Sequence, residues 1–159
     1  MSGGLLGGWN MYAYVNGAPT MFTDPTGLKK IILLPPTDPN YPAAVNTPDD
    51  PDVCLVISHG SPQSVNGMNA RQLNKMLSTQ CKPKQPVKLD ACRTGEGDNS
   101  IGEQLAKLRK APVVAPDDRT WTTPWGTNFS NPYPPMSLDP NSTLNRIPDI
   151  RKPGTWRNF

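Results

Sequence analysis

The chain has 159 residues, enough for one domain of ordinary size, but its 20 prolines and 13 glycines indicate that part of it lacks regular structure. The formal net charge of +3 comes from scattered lysines and arginines, so nucleic acid is not an expected partner. The apolar runs, such as residues 31–34, are too short to span a bilayer, and no basic and then apolar leader opens the chain, so no membrane partner is expected either.

The first segment, residues 1–28, is rich in Gly, Asn, Tyr and turn dipeptides. It contains the stretch GGWNMYAYVNGAP at residues 7–19 and closes in Asp24-Pro25-Thr26-Gly27-Leu28, where Pro and Gly occupy positions that β-turns prefer. This segment resembles the end of the Rhs/YD-repeat core of bacterial polymorphic toxins. The resemblance divides the chain into an Rhs remnant, residues 1–28, and a separate toxin domain.

In that family, a pair of Asp-Pro-x-Gly motifs performs aspartyl-type self-cleavage after the closing leucine. The resemblance implies that Asp24, Pro25 and Gly27 belong to the second motif and that Leu28 is the cleaved residue. The first motif would fall on residues 1–4, where only Gly4 matches, so we predict no self-cleavage of this chain. The resemblance also implies an Rhs shell, delivery by a secretion system such as type VI into the cytoplasm of a target cell, and an immunity protein in the producer.

From Lys29 onward, strand and helix signals alternate. Short apolar runs at residues 31–34, 53–58, 86–91 and 112–115 predict strands, and the run 53–58 is typical of a strand buried on both faces. Two amphipathic segments between them predict helices, with apolar stripes formed by Ala70, Leu73, Met76 and Leu77 and by Ile101, Leu105 and Leu108. Ser100 and Glu103 form a predicted capping box, and residues 35–52 are predicted to form a loop.

This alternation predicts an α/β fold, a small three-layer sandwich with a mostly parallel sheet, over residues 29–116. Residues 117–159 are rich in Pro, Asn, Ser and Thr, and include Trp121, Trp125 and Trp156. Prolines deny this tail the hydrogen bonds of a ladder, while the tryptophans give it surface to bury. We therefore expect an irregular tail that is docked on the domain.

The three cysteines show no Cys-x-x-Cys spacing, and the single histidine cannot complete a usual zinc site. We expect free thiols, no metal and no cofactor. Cys54 lies inside a predicted strand and is interpreted as core, whereas Cys81 is predicted to be a loop thiol at the surface.

The two residues that carry chemistry both follow predicted strands. His59 follows the run 53–58, and Cys92 follows the run 86–91, with one helix between them. If the two strands are parallel neighbours, they lie about 4.8 Å apart, and both residues follow them at the same carboxyl edge of the sheet. There an imidazole can take the thiol proton and later protonate a leaving amine.

These residues resemble the caspase-type cysteine peptidases, whose signature is an apolar block ending in His-Gly and a second ending in Cys. The matching blocks here are LVISHG at residues 55–60 and VKLDACRTG at residues 87–95. The resemblance implies that His59 is the general base and acid, that Cys92 is the nucleophile, and that the amides of Gly60 and Cys92 form the oxyanion hole. Because residues 29–116 are fewer than a full caspase domain has, it implies a minimal version of that fold.

Metacaspases carry Asp-x-Cys-x-x-Gly at the second block, as this chain does with Asp90, Cys92 and Gly95. The resemblance implies that Asp90 selects Arg or Lys, because a basic side chain satisfies a buried carboxylate. Asp90 and Ser58 are the expected substrate-binding residues. The sequence thus predicts an endopeptidase that cleaves a protein of the target cell.

Other functions stay open from the residues alone. The same Cys/His pair could carry out a different thioester chemistry, as in a deamidase or an acyltransferase. The domain could also be a toxin that acts by binding its target without catalysis. A nuclease is a further alternative, although the sequence shows no cluster of carboxylates and histidine for a catalytic metal.

Overall fold

A computed structural model of the chain describes residues 30–123 and 131–159. In chain order, its strands are β1 (Ile31–Ile32), β2 (Cys54–Ile57), β3 (Gly60–Ser61), β4 (Ser64–Val65), β5 (Val87–Asp90), β6 (Val113–Pro116) and β7 (Trp156–Asn158). Five of them form one sheet in the order β1-β2-β5-β6-β7, and β3 and β4 form a separate antiparallel hairpin. The first four strands of the sheet are parallel and β7 is antiparallel. The predicted α/β fold with a mostly parallel sheet is confirmed.

Three α-helices connect these strands: α1 (Tyr41–Asn46), α2 (Ala70–Gln80) and α3 (Ile101–Arg109). A short 3₁₀-helix follows at Thr143–Arg146. Helix α1 lies within residues 35–52, where we predicted a loop, so that prediction was wrong. Its Pro42 is compatible with a helix because an N–H in the first turn has no partner inside the helix.

Both faces of the sheet are covered by helices. Cys54 and Val56 of β2 point to one face, where the core is completed by Leu73 and Leu77 of α2 and Ile101 and Leu105 of α3. Leu55 and Ile57 point to the other face, where they pack with Leu34 and with Ala44 of α1. Alternate residues of β2 therefore bury both of its faces, as expected for a central parallel strand.

Helix α3 differs in two respects from its prediction, in the capping box at its start and in its apolar stripe. Ser100 Oγ accepts a hydrogen bond from Glu103 N at 3.3 Å, whereas the Glu103 carboxylate accepts from Asn99 N, one residue before the cap. Leu108 is exposed, so its place in the apolar stripe was predicted wrongly. The buried face of α3 is formed instead by Ile101, Gly102, Leu105 and the partly buried Ala106.

Cys54 and Cys81 form a disulfide with a Cα–Cα distance of 5.9 Å. Both residues are buried, so the prediction of free thiols, and of a surface position for Cys81, was wrong. The physical reason is the crossover of α2, which brings its C-cap residue, Cys81, back to the first residue of β2. Cys92 is the free cysteine.

The end of the chain packs against the sheet. We predicted no strand there, but β7 pairs with β6, and Phe159 packs against the core beneath it. On the other side of β7, the Lys88 ammonium lies 4.4 Å from the centre of the Trp156 ring. No helix in the described part of the chain combines the length and hydrophobicity that a membrane span requires.

Candidate functional site

The candidate site lies at the carboxyl edge of the parallel strands. Because β1, β2, β5 and β6 run in the same direction, the residues that follow each of them emerge at one edge. The side chains that carry chemistry there are Asp38 after β1, His59 after β2, Cys92 after β5 and Thr120 after β6.

His59 and Cys92 occupy equivalent places on neighbouring strands. In the register of β2 and β5, Ile57 is paired with Asp90, and His59 and Cys92 each stand two residues further on. The hydrogen bond from Ser58 N to Asp90 O, 3.2 Å, continues the ladder to the position just before them. The backbone thus places both residues at the same level of the edge, in strands about 4.8 Å apart.

Gly60 holds the segment after His59 directly against the segment that carries Cys92. A Cβ built on Gly60 would lie 3.1 Å from Cys92 O, 2.9 Å from Ala91 Cβ and 2.7 Å from Thr94 Cγ2. Real Cβ atoms essentially never come as close as the two shorter of these distances, so only glycine fits without a shift of its neighbours. The Thr94 hydroxyl fixes the other side of this contact by donating to Ala91 O at 2.9 Å.

The imidazole of His59 is paired with a carboxylate. His59 Nε2 lies 2.5 Å from Asp38 Oδ2. The His59 side chain is 61% exposed, whereas the Asp38 side chain is only 11% exposed. One edge of the ring is therefore held by a nearly buried carboxylate while the rest of it faces the solvent at the sheet edge.

Asp38 is itself fixed by its loop. Its other oxygen, Oδ1, accepts a hydrogen bond from Asn40 N at 2.8 Å. The backbone N–H of Asn40 and the His59 imidazole together hold the pKa of Asp38 below its ordinary value. Asp38 is thus a carboxylate at neutral pH and can only accept hydrogen bonds.

The thiol of Cys92 contacts the segment after β6. Its Sγ lies 3.6 Å from Thr120 Oγ1 and 3.8 Å from Thr120 O. Within the described ranges no hydrogen bond joins Cys92 to His59: the Cys92 thiol contacts Thr120, and the His59 imidazole contacts Asp38. The structure brings the predicted pair to one edge, in adjacent loops, without direct contact.

A positive charge lies beside the thiol. Arg93 adopts a left-handed backbone conformation, φ 62°, and its N–H donates to Asp118 O at 3.0 Å. Its guanidinium is paired with Glu96, which is the main reason that the pKa of Arg93 is raised, with smaller contributions from Asp118 and Cys92.

The backbone amide of Gly60 is directed out of its hairpin. Asn66 N donates to His59 O at 3.0 Å, which makes Gly60 and Val65 a non-hydrogen-bonded pair of the β3–β4 hairpin. In such a pair the N–H groups point away from the partner strand. The Gly60 amide therefore faces away from β4, which is compatible with a donor for an oxyanion.

The two predicted substrate-binding residues are both buried. Asp90 is the last residue of β5, on the same face of the sheet as Ile57 and α1, and is 7% exposed. Ser58 is likewise 7% exposed, and its hydroxyl donates to His59 O at 2.9 Å. Ser58 thus helps to fix the backbone of His59.

Several predicted residues lie outside the described ranges. These are the residues of the self-cleavage motif, Asp24, Pro25, Gly27 and Leu28, together with Trp125. Within residues 30–123 and 131–159, no group of three or more His, Cys, Asp and Glu side chains is arranged to hold a metal ion.

A surface cleft of about 360 Å³ between α2 and α3 contains none of the four edge residues and is lined by Asn69, Ala70, Arg71, Gln104, Lys107 and Leu108.

The sequence analysis missed two residues of this edge, Asp38 and Thr120. Asp38 lies in the segment 35–52, which we predicted as one loop, and its residue type does not distinguish it from Asp49, Asp50 or Asp52 of that segment. Its place after the first strand was the available signal, since residues that follow parallel strands meet at one edge. Thr120 follows the last parallel strand in the same way.

Comparison with known proteins gives one family and one relative. Residues 29–130 match the model described as "Domain of unknown function (DUF8616)". The uncharacterized protein YibJ of Escherichia coli (strain K12) is 35% identical over 105 residues, which cover 62% of this chain and 44% of YibJ. The match therefore spans less than half of that relative's length. No solved structure matches the chain significantly. Because the family model covers more than half of the chain, the chain belongs to the DUF8616 family.

Proposed function

We propose that the domain is a cysteine endopeptidase of the caspase-like type, with Cys92 as nucleophile and His59 as general base and acid. The observation that carries the proposal is the register of β2 and β5, which sets His59 and Cys92 at equivalent positions beyond the paired Ile57 and Asp90. The contact of Gly60 with the backbone of Cys92 supports it, because it holds the two loops together.

The chemistry follows from these side chains. The Cys92 thiol gives its proton to His59, and the thiolate attacks the carbonyl carbon of the scissile amide. The amides of Gly60 and Cys92 stabilise the oxyanion of the tetrahedral intermediate. As the C–N bond breaks, His59 protonates the leaving amine, and a water activated by His59 then hydrolyses the thioester.

The resting contact of the thiol with Thr120 is compatible with this scheme. In this scheme the Cys92 side chain rotates about its Cα–Cβ bond to another staggered rotamer, which moves the sulfur away from Thr120, while the backbones of the two loops already adjoin. Catalytic hydrogen bonds are often long or unformed before substrate binds. Substrate entering between the two loops would displace the contact with Thr120.

Asp90 is proposed to select a basic residue on the amino side of the cleaved bond. It is a nearly buried carboxylate two residues before the nucleophile, and it lies on the side of the sheet that α1 covers. A basic side chain of the substrate that reached this carboxylate would gain a charge-assisted hydrogen bond in a partly desolvated place. Asp90→Asn should then weaken the preference for Arg and Lys.

The biological setting proposed is that of an Rhs effector. Segment 7–28 resembles the end of an Rhs core, and the family match begins at residue 29, directly after the Leu28 at which that resemblance places cleavage. The domain would be carried in an Rhs shell, released in the cytoplasm of a target cell, and neutralised in the producing cell by an immunity protein.

The test is expression of the chain in bacteria as wild type, Cys92→Ala and His59→Ala, with growth and new protein termini measured together. The peptidase account predicts that only wild-type cells stop growing and accumulate cuts, mostly after Arg or Lys. Cys92→Ser is a further control, since it changes a single atom of the side chain and should also be inactive.

The other outcomes identify the alternatives. Toxicity that requires Cys92 without new termini, but with deamidated or acylated proteins, would indicate a different thioester chemistry. Full toxicity of both variants would indicate a binding toxin, or a nuclease if nucleic acids are degraded.

A further inference from the structure

We propose that Asp38 is a positioning residue that holds His59 in one tautomer, so that the candidate site is a Cys92–His59–Asp38 arrangement rather than a pair. This rests on the proposed function of His59 as the base of the site. The juxtaposition that carries it is the 2.5 Å contact between Asp38 Oδ2 and His59 Nε2.

The carboxylate is held rigidly, as an orienting group must be. Asp38 N donates to Pro35 O at 2.9 Å, and Asp38 O accepts from Tyr41 N at 3.0 Å at the start of α1. With Oδ1 bound by Asn40 N, three hydrogen bonds fix the residue before it meets the histidine. A surface ion pair between two mobile side chains would lack this support.

The direction of the hydrogen bond determines the tautomer. A carboxylate can only accept, so the proton of the neutral imidazole stays on Nε2, and Nδ1 presents its lone pair. That lone pair is what a base needs to take the thiol proton. The same carboxylate stabilises the imidazolium that forms after the transfer.

The loop of Asp38 is also tied to the segment that touches the thiol. Thr122 Oγ1 donates to Asn40 Oδ1 at 3.3 Å, and Thr120, two residues earlier, contacts Cys92. The segment after β6 therefore reaches from the nucleophile to the loop that holds the carboxylate. This connection keeps Asp38 in place relative to both His59 and Cys92.

The substitution Asp38→Asn makes a sharp prediction because the two carboxylate oxygens have different partners. The oxygen of the amide should keep the bond from Asn40 N, which turns the amide NH₂ toward His59. An NH₂ group can only donate to the ring, so Nε2 must become the acceptor and the proton must move to Nδ1. Nδ1 then carries the proton and has no lone pair with which to take the proton of the thiol.

The experiment uses the full chain without a polyhistidine tag, so that His59 is the single histidine observed. The tautomer of the neutral ring is read from the ¹⁵N chemical shifts of the imidazole, and the rate of alkylation of Cys92 by iodoacetamide is measured from pH 5 to 9. Asp139→Asn is the matched control, because the carboxylate of Asp139 also accepts from the N–H two residues on, that of Asn141.

We expect the Nε2–H tautomer in the wild type and in Asp139→Asn, and the Nδ1–H tautomer in Asp38→Asn, with alkylation of Cys92 slowed about tenfold or more near neutral pH. Asp38→Glu, which keeps a carboxylate at this place, should keep the wild-type tautomer. The same tautomer in wild type and Asp38→Asn would overturn the proposal. So would an inverted tautomer that leaves the pH profile of alkylation unchanged.

The experiment distinguishes a failure of the proposed peptidase function from a failure of the proposed role of Asp38. If Asp38→Asn inverts the tautomer and slows the thiol, but no new protein termini appear in cells that express the wild type, the positioning role of Asp38 stands and the peptidase reaction does not.

Discussion

Gly60 lies where the two loops of the candidate site meet, and it leaves no room for a side chain there. Gly60→Ala would place a methyl group within 3.1 Å of three neighbours, one of which is the backbone oxygen of Cys92. We expect a loss of about 1–3 kcal/mol in the free energy of unfolding, as for other over-packed positions, and a change in the alkylation rate of Cys92. Urea denaturation and thiol alkylation measure the two effects.

Gly97→Ala is the comparison for that variant. Gly97 has open space around the added Cβ, but its φ of 77° is unfavourable for alanine. It should lose about 1 kcal/mol through the backbone alone and leave the alkylation rate of Cys92 unchanged. Equal alkylation rates for Gly60→Ala and the wild type would contradict the close contact between the two loops.

Asp38 is expected to make the free energy of unfolding fall at acid pH. Because its pKa is lower in the folded chain than in the unfolded one, its carboxylate stabilises the fold above about pH 4, and this contribution is lost as the pH falls through the lowered folded-state pKa. The difference in unfolding free energy between wild type and Asp38→Asn should therefore shrink between pH 6 and pH 3. Urea titrations at each pH measure it, and parallel curves would contradict the prediction.

The positions of His59 and Cys92 at the sheet edge could be predicted from the sequence, because each residue directly follows an apolar run that is typical of a strand. Asp38 was not predicted, because it lies several residues beyond the short strand β1 and because helix α1, which separates it from the acidic residues further on, was not foreseen. The conformation of the loop brings Asp38 to His59, and the spacing of residues in the sequence does not predict that conformation. The disulfide of Cys54 and Cys81 was hidden for a similar reason, the return of α2 to β2.

Among the elements, β7 and the Phe159 that directly follows it are expected to stabilise the fold. Phe159 exchanges backbone hydrogen bonds with Val113, at 2.8 and 3.2 Å, and its ring packs against the core near Gly102. Phe159→Ala should lower the free energy of unfolding by about 1–3 kcal/mol. Leu138→Ala is the control, because Leu138 is 84% exposed and should change stability by less than about 0.5 kcal/mol. Equal midpoints in urea for the two variants would contradict this account.

The strands and long helices of the domain were predictable because they carry a clear period or a continuous apolar run. Helices α2 and α3 and strands β2, β5 and β6 all fall within a few residues of the predicted segments. Helix α1 was missed because it is one turn and a half long and contains Pro42. Strand β7 was missed because its pairing depends on the edge of β6, a contact between residues far apart in the chain.

At the scale of the whole molecule, the disulfide ties the start of the central strand to the end of the helix that covers it. Cys54 and Cys81 are 27 residues apart in sequence, and closing a loop of this length stabilises a fold by about 3 kcal/mol. The double variant Cys54→Ala, Cys81→Ala should lose about that much, measured by thermal or urea unfolding. Cys92→Ala, which leaves the disulfide intact, is the control.

Addition of dithiothreitol should destabilise the wild type to the same degree and leave the double variant unchanged. If the reductant has no effect on the wild type, the two cysteines are not bonded in the folded chain. Since the cytoplasm keeps most thiols reduced, an effector that acts there would lose this contribution after entry.

The fold places the candidate functional side chains of the domain at one edge of the sheet. Loops after four parallel strands bring a carboxylate, an imidazole, a thiol and a hydroxyl together there, while the opposite faces of the sheet are occupied by apolar packing. Parallel sheets commonly place their sites in this way. For a member of the DUF8616 family, this edge is where an activity is to be tested first.

The most direct test of the central claim is whether the thiol of Cys92 depends on the imidazole of His59. The measurement is the rate of alkylation of Cys92 by iodoacetamide at pH 7, in wild type and in His59→Gln, with the fold of each checked by circular dichroism. If the two residues work as nucleophile and base, the wild type reacts about tenfold or more faster than the variant. Equal rates in two folded proteins would contradict the claim, because the thiol and the imidazole would then be neighbours at the sheet edge without a shared function.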